Sequence, residues 1–345
     1  MGIAEKIMLI RHNLSDFFPF QGGMALRSSE GLPGHVAFYG GIGVVAITLM
    51  SRVKIIRTLR EVKEQARGNG LIAINIMAAD ALMRKRIIWA LRTKLVDIVI
   101  QGAGISKSAP LICLKYNVPF IPIISRPEQV PFYLKHFGEA IVAFLFEGAE
   151  AGGHIGNLQK SLFKQDDDTL EKIVKQAGEV PVIAAGGITP KKVSSILSRG
   201  AKNIQIATPF ILTKECALPK QVKDLYVKAK ENDLVIIESP AGLPGRAIRN
   251  FLTEEVANNR CFPPKSYKLK CAACLKSCKC RESEFTKSFC IRGALIAARR
   301  GNLKLGLFFS GGEIANWNEI TTVKKVMVKY KKELNKFRKT HPASL

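Results

Sequence analysis

Residues 146–156 read FEGAEAGGHIG, and the imidazole in that stretch, His154, is one of only five histidines in 345 residues. An imidazole of ordinary pKa gains and loses a proton near neutrality. The small residues around His154 offer it nothing bulky to pack against, so proton handling is the chemical expectation. A second reactive stretch is CAACLKSCKCRESEFTKSFC (271–290), which sets Cys271, Cys274, Cys278 and Cys290 in the pattern C-x2-C-x3-C-x11-C, with Cys280 extra. Thiolates two or three residues apart can wrap one metal ion or one corner of a cluster, and a later cysteine can close the site. Zinc, an iron–sulfur cluster and free thiols are the three states this spacing allows. Cys113 and Cys216 stand alone in apolar or helical surroundings and read as packing residues.

The elements that must position these groups alternate. Apolar runs at 17–20, 44–47, 71–76, 97–100, 119–124, 141–146, 181–185 and 203–207 have the continuous character of strands covered on both faces. Helical patterns lie between them, among them 54–67, 81–94 and 169–178. The stretch 189–200 opens with Thr189 and Pro190 and ends at Gly200, a capped helix in outline. Eight strands with intervening helices predict an α/β fold, a (β/α)8 TIM barrel, over residues 1–230. Residues 231–345, holding the cysteine cluster and a lysine-rich helix, read as a C-terminal extension. In SPAGLPGRAIRN (239–250), Pro and Gly predict an irregular loop whose Arg246 and Arg249 sit at the surface or meet an anion.

Chemistry in such barrels gathers where strands end. Glycine recurs there: QGGMA (21–25), QGAGIS (101–106), EGAEAGGHIG (147–156) and GGITP (186–190). Backbone N–H groups without a neighbouring Cβ can approach a flat ring or a phosphate. Loops after the seventh and eighth strands commonly hold phosphate in these barrels, which makes a phosphorylated cofactor across the barrel mouth the economical reading.

In order along the chain, PFQGGMA, INIM, QGAG, EGAEAGGHIG, PVIAAGGI and QIATPFILTKEC resemble the flavin-dependent nitronate monooxygenases, formerly 2-nitropropane dioxygenases. They are equally similar to the FMN-dependent enoyl-acyl-carrier-protein reductases of type II. The resemblance covers roughly residues 15–230 and implies an FMN-binding barrel with His154 catalytic. It places FMN contacts at Gly22, Gly23, Met24, Asn75, Gln101, Glu147, Gly152, Gly153, Gly186, Gly187, Gln205, Ile206, Ala207 and Thr208. The activity implied is oxidation of alkyl nitronates or nitroalkanes with O2. The alternative is reduction of an enoyl thioester with NAD(P)H or with electrons delivered by an iron–sulfur cluster. Two departures bear on this choice. Glu147 stands where nitronate monooxygenases usually carry Gln, and Ala207-Thr208-Pro209 replaces the usual Gly-Thr-Arg, adding a methyl and removing an anion contact. The cysteine spacing is similar to the [4Fe-4S] motif of flavoenzymes related to old yellow enzyme and 2,4-dienoyl-CoA reductase, in which the cluster feeds the flavin.

The net charge of +25 raises nucleic acid as a partner. The basic residues are spread along the chain, however, with only a mild excess at 324–340, and no nucleic-acid module appears, so the reading is a solvated surface and no nucleic acid. A positive field still suits anionic small-molecule substrates. The longest apolar stretch, 36–50, is glycine-rich and too short to cross a bilayer, and no signal-peptide pattern opens the chain. A cytoplasmic enzyme without a membrane partner is the expectation.

Overall fold

The computed structural model describes residues 1–24, 31–156, 168–282 and 288–341. Eight parallel strands close into a barrel: β1 (Phe20–Gln21), β2 (Ile42–Ala46), β3 (Leu71–Met77), β4 (Ile98–Gly102), β5 (Phe120–Ile124), β6 (Phe144–Glu147), β8 (Val182–Ala185) and β9 (Asn203–Ile206), with β9 pairing back onto β1. Helices alternate with them on the outside, so the fold is the (β/α)8 TIM barrel expected from the apolar runs. Ala25, at the end of the first glycine segment, and 283–287 within the cysteine stretch lie outside the described residues.

The two-residue period of a strand sends alternate side chains to opposite faces. On β3 this turns Ile72, Ile74 and Ile76 out against the helices and Ala73 in toward the axis. Asn75 shares the inward parity, one step nearer the mouth. The same alternation puts Leu145 inward on β6, and Glu147 above it. On β9, Ile204 and Ile206 pack outward, leaving Gln205 on the inner face. The register sets Glu147 beside Ala185, and Ala185 beside Gln205. The barrel floor is therefore aliphatic, and its upper rim carries amide and carboxyl groups.

Two helices complete the barrel in ways the apolar runs did not show. Helix Ile3–His12 caps the bottom, where Ile7 and Ile10 join Leu14, Phe20 and Val44 in the inner core. Its Arg11 donates to the Ile141 carbonyl oxygen at 2.9 Å. At the other end of the chain, helix Val323–Thr340 lies in the outer layer against helices Leu32–Phe38 and Val193–Ser198. Its Val326, Met327, Tyr330, Leu334 and Phe337 belong to the barrel's outer core. A domain boundary at 230 would assign this lysine-rich helix to the extension. Its apolar face, spaced by three and four residues, packs on the barrel instead. No described helix is long and apolar enough to cross a membrane.

The extension proper is a small lobe over the barrel mouth. Its sheet joins β10 (Leu234–Glu238), β11 (Pro244–Ile248) and β7 (Gly153–His154) in antiparallel order. A separate core of Ile237, Ala247, Leu252, Leu275, Phe289 and Ile291 holds it together. Because β7 grows out of the loop after β6, barrel and lobe share a sheet at the histidine.

Candidate active site

A cavity of about 240 Å³ opens at the C-terminal mouth of the barrel, under the lobe. Its barrel wall is built from the strand-end segments the glycine pattern singled out. Gly22, Gly23, Met24, Asn75, Glu147, Gly152, Gly153, His154, Gly186, Gly187, Gln205, Ile206, Ala207 and Thr208 all line it. Gln101 does not. The strand alternation turns Gln101 away from the axis, and its amide nitrogen donates to the carbonyl oxygens of Gly102 and Gly104 at 3.1 and 2.8 Å. Gly102 and Ala103, its neighbours in sequence, face the cavity in its place.

Several glycines are required by close approach. A Cβ on Gly23 would lie 2.6 Å from the Asn75 side chain, and one on Gly22 would lie 2.7 Å from the Ala207 methyl. The extra methyl of Ala207 is thus accommodated by the bare backbone of Gly22. Gly152 serves a different neighbour from the one expected: a Cβ there would come 2.4 Å from the backbone carbon of Ser310. The lobe presses on this glycine. Gly152→Ala is expected to displace the 308–312 segment and cost about 1–3 kcal/mol of stability, read as a lowered urea midpoint. An unchanged midpoint would show that the contact is loose.

His154 is not a loop residue with an open surrounding. It sits on β7, opposite Gly245 of β11, with the Phe309 ring 5.4 Å away. Its Nε2 lies 2.7 Å from Ser239 Oγ. Protein surrounds the ring while its remaining accessible surface faces the cavity. That burial lowers its pKa to about 4, because a charged imidazolium would lose its solvation. The expectation of an ordinary histidine titrating near neutrality is corrected accordingly: this imidazole is neutral at pH 7. Glu147 is shifted in the opposite sense. Burial without a compensating charge pushes its carboxyl up to about 8, so it is mostly protonated at neutral pH.

Ser239 is a site residue that the sequence reading passed over in favour of the arginines nearby. It is fully buried, and its Oγ also accepts the Ala241 N–H at 3.3 Å. A buried hydroxyl hydrogen needs an acceptor. Donation of that hydrogen to His154 Nε2 leaves the imidazole proton on Nδ1. Ser239→Ala is expected to free the ring to change tautomer and to lower kcat about tenfold with little change in KM. Ser239→Thr should restore most of the loss, and equal losses in both variants would deny the hydrogen bond its role. Arg246, expected at the surface or on an anion, instead donates to the carbonyl oxygens of Ala149 and Ala151 at 2.5 and 2.8 Å. It clamps the segment that leads into His154.

The lobe supplies a wall that spacing along the barrel could not reveal. Leu275, Ile291, Leu295 and Phe309 make it apolar, while Trp317, packed on the barrel's outer core, and Glu313, ion-paired with Lys192, border the same cavity. Gly311 donates its N–H to Thr208 Oγ1 at 3.1 Å, tying lobe to barrel beside the loop after β9. The glycine pair 311–312 was the available signal, since it repeats the pattern seen at the strand ends.

The residues present fit a flavin nucleotide. Gln205 is buried on the cavity wall and its Nε2 has no hydrogen-bond partner. Such a donor is costly unless a ligand takes it up. Backbone without side chains lines the loop after β8, with Gly186 and Gly187 both at positive φ, and Thr208 adds a hydroxyl from the loop after β9. The cysteines form no comparable ready-made site. Among the described residues, no group of three or more His, Cys, Asp or Glu side chains stands arranged to hold a metal ion.

Comparison with known proteins agrees with this architecture. The sequence profile of the nitronate monooxygenase family matches residues 67–331, most of the chain. The chain belongs to that family. Probable nitronate monooxygenases of Staphylococcus aureus, strains Newman and COL, are each 30% identical over 168 residues, covering 44% of this chain and 47% of theirs. The chain thus spans about half the length of the curated relatives it matches. Among solved structures, FabK from Thermotoga maritima superposes with a TM-score of 0.79 at 21% identity, over 98% of this chain and 99% of that one. Nitroalkane oxidase from Streptomyces ansochromogenes gives 0.70 at 18%, over 95% and 99%. The enoyl reductase domain of MlnA from Bacillus amyloliquefaciens gives 0.70 at 13%, over 98% and 99%. At these identities the likeness is one of fold.

Proposed function

We propose that this protein is an FMN-dependent oxidoreductase that oxidises alkyl nitronates with O2. The observation that carries this reading is His154, 2.7 Å from Ser239 Oγ, on the wall of a cavity that also presents the buried, unpartnered Gln205 amide. The cradle for the cofactor would be Gly22, Gly23, Asn75 and Gln205 for the ring, with Gly186, Gly187 and Thr208 for the phosphate. When bound, FMN supplies the electron-accepting chemistry and passes electrons on to dioxygen.

The protein's own contribution is positional. With its conjugate acid near 4, His154 is a weak base for pulling a carbon-bound proton from a neutral nitroalkane. A neutral imidazole with its proton on Nδ1 is instead a hydrogen-bond donor suited to a nitronate oxygen, which already bears charge. Leu275, Ile291 and Phe309 shield that contact from water and strengthen it. The substrate class is therefore the ionised nitronate in preference to its parent nitroalkane.

Glu147 favours a second reading, reduction of an enoyl thioester with NAD(P)H. A protonated carboxyl and a neutral imidazole facing one cavity could polarise a thioester carbonyl, and the fold is shared with an enoyl reductase domain. Anaerobic and aerobic turnover separate the two. Oxygen uptake that depends on an alkyl nitronate supports oxidation. NAD(P)H consumption with a crotonyl-type thioester in the absence of oxygen, and no nitronate-dependent oxygen uptake, would replace it by the reductase.

A further inference from the structure

The cysteine-rich segment is the one motif the proposed chemistry leaves unused. Five of the eight cysteines, Cys271, Cys274, Cys278, Cys280 and Cys290, line a single small cavity in the lobe. Cys280, which the spacing left over, lines that cavity together with Cys278 and Cys290 and lies close enough to both for their thiols to influence one another. Cys274 and Cys278 are half-buried against the lobe's core, whereas Cys271 is exposed.

The lobe needs a staple. Between helix Phe251–Ala257 and helix Ile291–Arg299, the described chain forms only short 3-10 turns. A small core with so little regular structure in this segment is marginal, and cross-links or metal ions commonly add to its stability. The backbone around the thiols is nevertheless pinned at three places. Ala81 donates to Cys274 O at 3.1 Å and Lys276 to Ala79 O at 2.9 Å; Lys279 donates to Pro240 O at 3.0 Å; and Cys290 donates to Phe262 O at 2.7 Å. Anchored backbone with several thiols on one cavity can become a metal site when its ligands turn inward.

We propose that Cys274, Cys278, Cys280 and Cys290 form a four-thiolate centre for a thiophilic metal, which staples the lobe against the wall of the flavin cavity. Each thiol that ligates gives its proton to solvent, and no oxidation is involved. A tetrahedral ion with metal–sulfur bonds of roughly 2.3 Å keeps its sulfurs roughly 3.8 Å apart, a spacing that thiols lining one small cavity can reach. As they stand, the side chains do not surround one point. Rotation about Cα–Cβ at each cysteine between staggered positions moves the sulfurs without moving the pinned backbone. The centre adjoins the active site at two residues: Leu275, next to Cys274, and Ile291, next to Cys290, both line the flavin cavity. Lys279, between Cys278 and Cys280, is anchored to Pro240, the neighbour of Ser239.

The test is metal and acid-labile sulfide analysis of the full chain purified anaerobically, with flavin content measured on the same sample. About one zinc or iron per chain without sulfide identifies a single ion; iron with matching sulfide identifies a cluster on the same thiolates. Either result upholds the centre, whatever the flavin content and activity. Cys278→Ser and Cys290→Ser should each drop the metal below about a tenth of wild type, while Cys261→Ser should leave it unchanged. Should the serine variants not fold, chelated wild-type protein titrated with Co2+ gives the same answer through sulfur-to-cobalt charge-transfer absorption. Metal-free protein that shows no such absorption with Co2+ would overturn the proposal.

Discussion

Replacing His154 by alanine is expected to lower kcat/KM for nitronate oxidation about a thousandfold while leaving FMN bound, as read by oxygen uptake and by flavin absorbance. The magnitude follows from the hydrogen bond or proton that one positioned side chain contributes in a water-excluded site, typically 10²–10⁴ in rate. Retention of the flavin follows from the cradle, which is backbone and amide, not imidazole. His154→Gln distinguishes donation from proton abstraction. Glutamine carries an N–H but cannot act as a base, so a donor role predicts recovery of about tenfold over alanine. The pH profile gives an independent check. Because burial lowers the imidazole to about 4, kcat/KM should stay level as pH falls through 6.5, where an ordinary histidine would charge. Activity within threefold of wild type in His154→Ala would remove the assignment altogether.

The same residue shows what was and was not legible in the sequence. That His154 stands at the mouth of the barrel could be read from its setting among small residues after an apolar run. Its tautomer and pKa could not, because both depend on Ser239, 85 residues away, and on a two-residue strand that exists only by pairing with β11. Barrel closure was legible, since eight apolar runs each covered on both faces leave few other arrangements. Register within those strands was harder. Gln101 sits one position from Gly102, and a one-residue difference on a strand reverses the face. Gly152 illustrates a further limit: its sequence signal was real, but the backbone it must admit belongs to Ser310. Glycine records that something approaches closely, not what. Cys280 was set aside on spacing alone, because linear intervals do not report the fold-back that brings it onto one cavity with Cys278 and Cys290.

Glu147→Gln is expected to flatten the loss of stability that the wild-type protein suffers in mild alkali. The folded carboxyl titrates at about 8 and an unfolded glutamate near 4.5. Between those values the native state binds the extra proton, so stability falls as pH rises, and the decline ends above about 8. His154 works in the other direction. Its folded pKa of about 4 lies below the ordinary 6.5, so in that interval the unfolded state binds the extra proton and stability falls as pH falls. From 4.5 to 6.5 the two slopes oppose each other and largely cancel. From 6.5 to 8 only the glutamate of this pair acts, and 1.5 pH units correspond to about 2 kcal/mol. Urea unfolding of flavin-free protein at pH 6.5 and 8.5 should therefore show wild type losing about 2 kcal/mol more than Glu147→Gln. Glutamine keeps the size and hydrogen-bonding capacity of the protonated acid, so packing is held constant while ionisation is removed. Parallel pH slopes in the two proteins would mean that water or a counter-charge reaches Glu147, and the cavity would then not be dry enough to keep His154 neutral.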